Sequence, residues 1–138
     1  MTYYVDGSSS YAGNRIMVTT DKSDVIVSKK IRKKMTNNEL EYEAIIAAAE
    51  LAADGDTINS DSKLCVEQIN GNFKIKQPHL KPYAEKAKKI QVDKKLTIIW
   101  LRRDDNLAGQ ILEKEVKANA RKRNKESKTL RKDSGKQV

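Results

Sequence analysis

The 138-residue chain contains one cysteine, Cys65, and one histidine, His79. A single thiol excludes an internal disulfide framework and suits a reducing cytoplasm. So little thiolate and imidazole also gives no basis for a site built on a softer metal. No apolar run approaches the roughly 18 residues that cross a bilayer, so no membrane partner is expected. The N-terminal MTYYVDGSS enters a strand pattern at once and has no signal-peptide layout, which leads to the expectation of a cytoplasmic protein. There is no internal repeat, and the length is that of one domain able to bury a core.

What the chain has in abundance is positive charge. Lys and Arg number 28 against 19 Asp and Glu, a formal charge of +9. The excess is uneven: residues 114–138 carry ten basic and three acidic side chains, which leaves a net of only +2 for residues 1–113. Such a tail is either a solvated segment or an arm that attracts phosphates. Residues 117–138 are low in apolar side chains and are expected to be flexible, leaving 1–116 as the folded, functional domain.

The pattern of residues predicts a run of strands followed by alternating helices and strands. Tyr3 and Val5 lead into a turn at Asp6-Gly7-Ser8, and RIMVTT (15–20) and DVIVSKKI (24–31) are β-branched runs joined by a polar link. Thr36 to Glu39 has the form of a capped helix start, and LEYEAIIAAAELAA continues it to Asp54-Gly55. A short strand at 57–59 and a helix at 62–69 follow. Pro78 and Pro82 bracket the entry to a further helix, where His79 reads as a helix-start or packing residue. LTIIWL (96–101) reads as a strand buried on both faces, with Trp100 in the core. A helical spacing of Leu107, Ile111, Leu112 and Val116 then runs from Asn106 to about residue 122.

Three acidic motifs stand out within this order: YVDGSS at 4–9, TNNELEYEA at 36–44 and INSDSK at 58–63. They contribute Asp6, Glu41 and Asp61, each at a strand end or on the helix beside it. Three carboxylates gathered from distant segments repel unless positive charge lies between them. Hard divalent cations with oxygen ligands meet that need. Each acid also has an ordinary reading: Asp6 as a turn former, Glu41 as one glutamate among four on its helix, and Asp61 as a helix cap.

The order and motifs together resemble ribonuclease H of type 1, in the compact form without an extra basic loop. YVDGSS is similar to the family's first-strand motif, TNNELEYEA to its following helix, INSDSKLCVEQING to its third acidic segment, and WLRRDDNLAGQILE to its last strand and helix. The resemblance spans residues 1 to about 116. It implies an α/β, ribonuclease H-like fold, with a five-stranded mixed sheet of three antiparallel and then parallel strands, flanked by helices. It implies a monomeric endoribonuclease that hydrolyses the RNA strand of RNA–DNA hybrids and leaves 5′-phosphate and 3′-hydroxyl ends. Asp6, Glu41 and Asp61 would be catalytic and hold two Mg²⁺ ions, or Mn²⁺ in their place, with Asp6 bridging. Gly7 and Ser8 would approach the RNA strand through their backbone, and Thr36, Asn37 and Asn38 would contact the DNA strand. Thr36 and Asn37 serve equally well as helix caps.

Two departures qualify this. The family's fourth acid, early in its last helix, falls at Gly109 or Gln110, and neither carries a carboxylate. Glu113, Asp104 and Asp105 are the available substitutes, unless nothing replaces it. The family's loop histidine before that helix is also missing. The missing acid motivates a second reading, a ribonuclease H-like protein that binds nucleic acid without cutting it. A reverse-transcriptase domain or a transposase shares the expected fold but would need accessory domains.

Overall fold

The computed structural model describes residues 1–10, 13–118 and 121–122. Its sheet is built on β1 (Thr2–Ser10), β2 (Gly13–Thr20), β3 (Val25–Ile31), β4 (Thr57–Ser60) and β5 (Thr97–Trp100), in the spatial order β3-β2-β1-β4-β5. The first three strands are antiparallel neighbours, and β4 and β5 add in parallel. This is the expected mixed sheet. β1 runs through its middle, so its pleat sends Tyr3, Val5 and Gly7 to one face and Tyr4, Asp6 and Ser8 to the other.

Helices α1 (Asn37–Leu51), α2 (Lys63–Ile69) and α3 (Lys81–Lys94) pack together beside the sheet. They form the main core with Tyr3, Val5, Val18, Ile58 and Ile98. A fourth helix, α4, is described over 107–118. It covers the opposite face through Ala108 and Leu112, which pack with Met17 and the half-buried Tyr4 and Ile111. Of the expected tail, residues 117, 118, 121 and 122 are helical, and the remainder lies outside the described residues.

Local chemistry explains where the elements start and stop. Thr36 and Glu39 form the expected capping box: the Glu39 N–H donates to Thr36 Oγ1 at 3.2 Å, and the Thr36 N–H to Glu39 Oε1 at 3.0 Å. α1 has no basic residue in its own last turn. Its final carbonyls are instead met by Lys94 from α3, whose Nζ donates to Ala49, Glu50 and Ala52 at 2.8–2.9 Å. The ammonium thus sits at the negative end of the α1 dipole. Pro78–Leu80 forms a 3-10 turn into α3, and His79 lies exposed within it, at a helix start and not in packing.

Two expectations fail. The turn expected at Asp6-Gly7-Ser8 is strand, because β1 runs on to Ser10 with these residues paired to Met17, Ile16 and Arg15 of β2. β5 is the last strand of the sheet, and within it only Ile98 is buried; Ile99 is 44% and Trp100 40% exposed. Four apolar residues in a row suggest burial on both faces, but the sequence does not reveal which strand takes the edge. Trp100 is therefore not a core residue.

Candidate active site

The site begins with a glycine. A Cβ at Gly7 would lie 2.4 Å from the Leu40 carbonyl carbon and oxygen and 2.8 Å from the Glu41 nitrogen. Only a residue without a side chain lets α1 approach β1 this closely. That approach brings Glu41 beside Asp6, although the two are far apart in the chain. Asp61 arrives from the link between β4 and α2, because β4 pairs in parallel with β1. The carboxylate oxygens of Asp6, Glu41 and Asp61 all lie within 4.8 Å of one another.

The electrostatics are those of crowded, part-buried acids. Burial is the largest effect on Asp6 and pushes its carboxyl up to about 6, aided by the charge of Asp61. A hydrogen bond with Glu41, the Arg103 guanidinium and the Gly7 N–H oppose that rise. Glu41 rises to about 10 through burial first, then the charge of Asp6, their shared hydrogen bond and the charge of Asp61. Glu41 Oε2 is buried and has no hydrogen-bond partner. An unpaired buried carboxylate oxygen beside two other acids is costly, and a hard cation would relieve that cost. The all-oxygen donor set therefore fits Mg²⁺ or Mn²⁺.

The acids open into a polar hollow of about 230 Å³, lined by Asp6, Gly7, Ser8, Ser9, Asn37, Glu41, Asp61 and Arg103. Six of these are residues singled out from the sequence. Ser9 and Arg103 were not, although Asn37 Oδ1 accepts from the Ser9 N–H at 3.2 Å and so joins the two walls. Arg103 was missed because it lies in a run of charges, RRDD, with no motif to mark which one turns inward. Thr36 and Asn38 do not line the hollow. The Thr36 hydroxyl is committed to the cap, and the Asn38 carbonyl accepts from the Cys65 thiol at 3.6 Å. Asp61 does not cap α2 either: Ser62 does, accepting from the Cys65 N–H.

The position of the fourth acid is now visible. A Cβ at Gly109 would lie 3.3 Å from Asp6 Oδ2, so this glycine faces the cluster directly. Gln110 points away and donates from its amide to the Asp104 carbonyl. None of the proposed substitutes lines the hollow. Glu113 pairs with Lys117, and Asp105 pairs with Arg102. Beside Gly109, buried Asn106 donates to the Val5 carbonyl at 2.9 Å and pins the start of α4 to β1.

Comparisons with known proteins bear on the family and the fold. The sequence profile of the family described as reverse transcriptase-like matches residues 4–116. The bifunctional protein Rv2228c of Mycobacterium tuberculosis is 35% identical over 107 residues, which are 72% of this chain and 29% of that protein. The chain thus spans under a third of the length of the curated relatives it matches. The solved N-terminal RNase H domain of Rv2228c superposes with a TM-score of 0.64 at 29% identity, covering 80% of this chain and 93% of that domain. LC11-RNase H1, isolated from compost and solved in complex with an RNA/DNA hybrid, gives 0.61 at 27% identity over 76% and 87%. By its profile match, its sheet order and its neighbours, the chain belongs to the reverse transcriptase-like family and carries the fold of type 1 ribonuclease H.

Proposed function

We propose that this protein is an endoribonuclease that hydrolyses the RNA strand of RNA–DNA hybrids, leaving 5′-phosphate and 3′-hydroxyl ends. The observation that carries the proposal is the convergence of Asp6, Glu41 and Asp61 within 4.8 Å in a chain of this family. The solved complex of LC11-RNase H1 with an RNA/DNA hybrid supports the choice of substrate. Divalent ions held by Asp6, Glu41 and Asp61 would activate the attacking water and offset charge on the leaving oxygen.

The chain's own residues supply the rest. Asp6 would be the shared ligand, as the resemblance to ribonuclease H implies, with Glu41 and Asp61 completing the set. Gly7 and Ser8 present backbone at the mouth of the hollow, where a strand with 2′-hydroxyls can come close. Asn37 also lines the hollow, and its chain neighbours Thr36 and Asn38 would contact the second strand. Arg103 places a guanidinium next to the acids, suited to a phosphate oxygen that the carboxylates would otherwise repel. Exposed Lys29, Lys30, Arg32 and Lys33 line a groove with Glu43 and Tyr83 at the end of β3, where the four cations can hold flanking phosphates. No symmetric contact is needed for any of these roles, so the acting unit is a monomer.

One observation favours a second reading. Gly109 leaves the cluster without a fourth carboxylate, which suits a hybrid-binding protein that does not cut. Cleavage of a labelled hybrid in Mg²⁺ and separately in Mn²⁺, with EDTA and Asp6→Asn as controls, separates the two. The enzyme gives metal-dependent cuts in the RNA strand alone, lost in Asp6→Asn. Binding without cuts in either metal selects the second reading.

A further inference from the structure

The three acids are not held equally. Asp6 lies within β1 and Glu41 within α1, so regular hydrogen bonding fixes both backbones. Asp61 stands in the link between Ser60, the last residue of β4, and Lys63, the first of α2. Its neighbours are tied down: the Ser62 N–H donates to Ser60 Oγ at 3.1 Å, and the Leu101 N–H to the Ser60 carbonyl at 3.0 Å. The Asp61 carbonyl itself accepts from the indole Nε1–H of Trp100 at 3.2 Å.

Trp100 is a poor candidate for a packing residue. It lies on the edge strand and leaves 40% of its surface exposed. Its orientation is nevertheless set from two sides. The N–H is bound to Asp61, and the exposed Lys63 ammonium lies 5.4 Å from the ring centroid, within cation–π range. Both contacts go to the segment that bears the third acid. Pairing of Ser60 with Trp100 in the sheet places the indole opposite that segment.

We propose that Trp100 is the positioning residue for Asp61: its indole N–H fixes the backbone of the one acid that stands outside a strand or helix, and so sets the third ligand of the divalent-cation cluster. The inference rests on the metal-binding reading above. Lys63 steadies the ring in turn. The bond is to a backbone carbonyl, so its loss leaves the Asp61 carboxylate present but free to turn away from Asp6 and Glu41.

Mn²⁺ binding to the full chain, followed by calorimetric titration, tests this without recourse to activity. Trp100→Phe keeps an aromatic ring and removes the N–H. It should bind Mn²⁺ about fivefold more weakly, the loss expected for one hydrogen bond. Its melting midpoint should fall by no more than about 4 °C, the effect of one lost hydrogen bond in a domain of this size. The Mg²⁺ concentration giving half-maximal cleavage should rise by the same factor, while the rate at saturating metal holds. In an Asp61→Asn background, Trp100→Phe should have no further effect on Mn²⁺ binding. Equal affinity for wild type and Trp100→Phe overturns the proposal, as does an unchanged penalty in the Asp61→Asn background. If Trp100→Phe does not fold, Trp100→Tyr, which also keeps a ring and lacks the indole N–H, takes its place: the same weakening supports the proposal, and equal affinity refutes it. A wild type that binds no Mn²⁺ would instead bring down the metal-binding reading, and this inference with it.

Discussion

Without a bound cation, the acid cluster should weaken the fold at neutral pH, and Glu41→Gln should reverse much of that loss. The folded state holds the Glu41 proton up to about 10, whereas an unfolded chain releases it near the ordinary 4.5. A carboxyl raised in this way contributes its stability fully below the unfolded value. That contribution is then lost as pH climbs through the window from 4.5 toward 10. Each pH unit in the window costs about 1.4 kcal/mol, so by pH 7 the loss is about 3 kcal/mol. Asp6 adds a similar slope over a narrower range, from 3.8 to about 6. Glutamine keeps the size of Glu41 and cannot ionise. In EDTA at pH 7.5 the variant should be more stable by about 4 kcal/mol, or about 13 °C in melting midpoint for a domain of this size. The advantage should vanish at pH 4.5 and shrink when Mg²⁺ or Mn²⁺ is added, since the cation stabilises only the intact acid cluster. Thermal melts of both proteins at the two pH values, with and without metal, provide the assay. A variant no more stable than wild type at pH 7.5 in EDTA, or equally advantaged at both pH values, would refute the reasoning.

Three further outcomes follow from the contacts described. Gly7→Ala forces a methyl to within 2.4 Å of the Leu40 carbonyl; it should cost on the order of 3 kcal/mol in urea unfolding and lower hybrid cleavage at least tenfold by moving α1 and Glu41 away from β1. Lys94→Met leaves three carbonyls at the end of α1 without their ammonium and should cost about 1–3 kcal/mol in the same assay. Arg103→Ala should reduce kcat/KM on a hybrid by roughly tenfold to a hundredfold with little change in stability, and an unchanged kcat/KM would remove Arg103 from the site.

A glycine at position 109 also changes what the site can hold. Its bare α-carbon leaves the Asp6 carboxylate open on the side of α4, and the Arg103 guanidinium is the cation that acts on Asp6. A site with three acids and one guanidinium repels phosphate less than a site with four acids. It also offers one fewer carboxylate to any cation. Comparing Mg²⁺ with Mn²⁺ in the cleavage assay reads that balance directly.

The acidic motifs, the capped start of α1 and the succession of strands and helices were all legible in the chain. They depend on local propensities and on residue types that few other roles require at those spacings. Asp6, Glu41 and Asp61 could be chosen because three separate motifs carried them, and Gly7 because it followed one of them. Tertiary structure alone decided which of several like residues turns inward. Arg103 and not Arg102 lines the hollow, Ser62 and not Asp61 caps α2, and Gly109 and not Gln110 faces Asp6. It also decided that β5 takes the edge of the sheet, so that an apolar run expected in the core leaves Trp100 half in solvent and bonded to Asp61. Periodicity and capping act over a few residues, and the sequence carries them openly. Sheet order and the direction of a side chain at a crossing depend on contacts between segments far apart in the chain, and these exist only once it has folded.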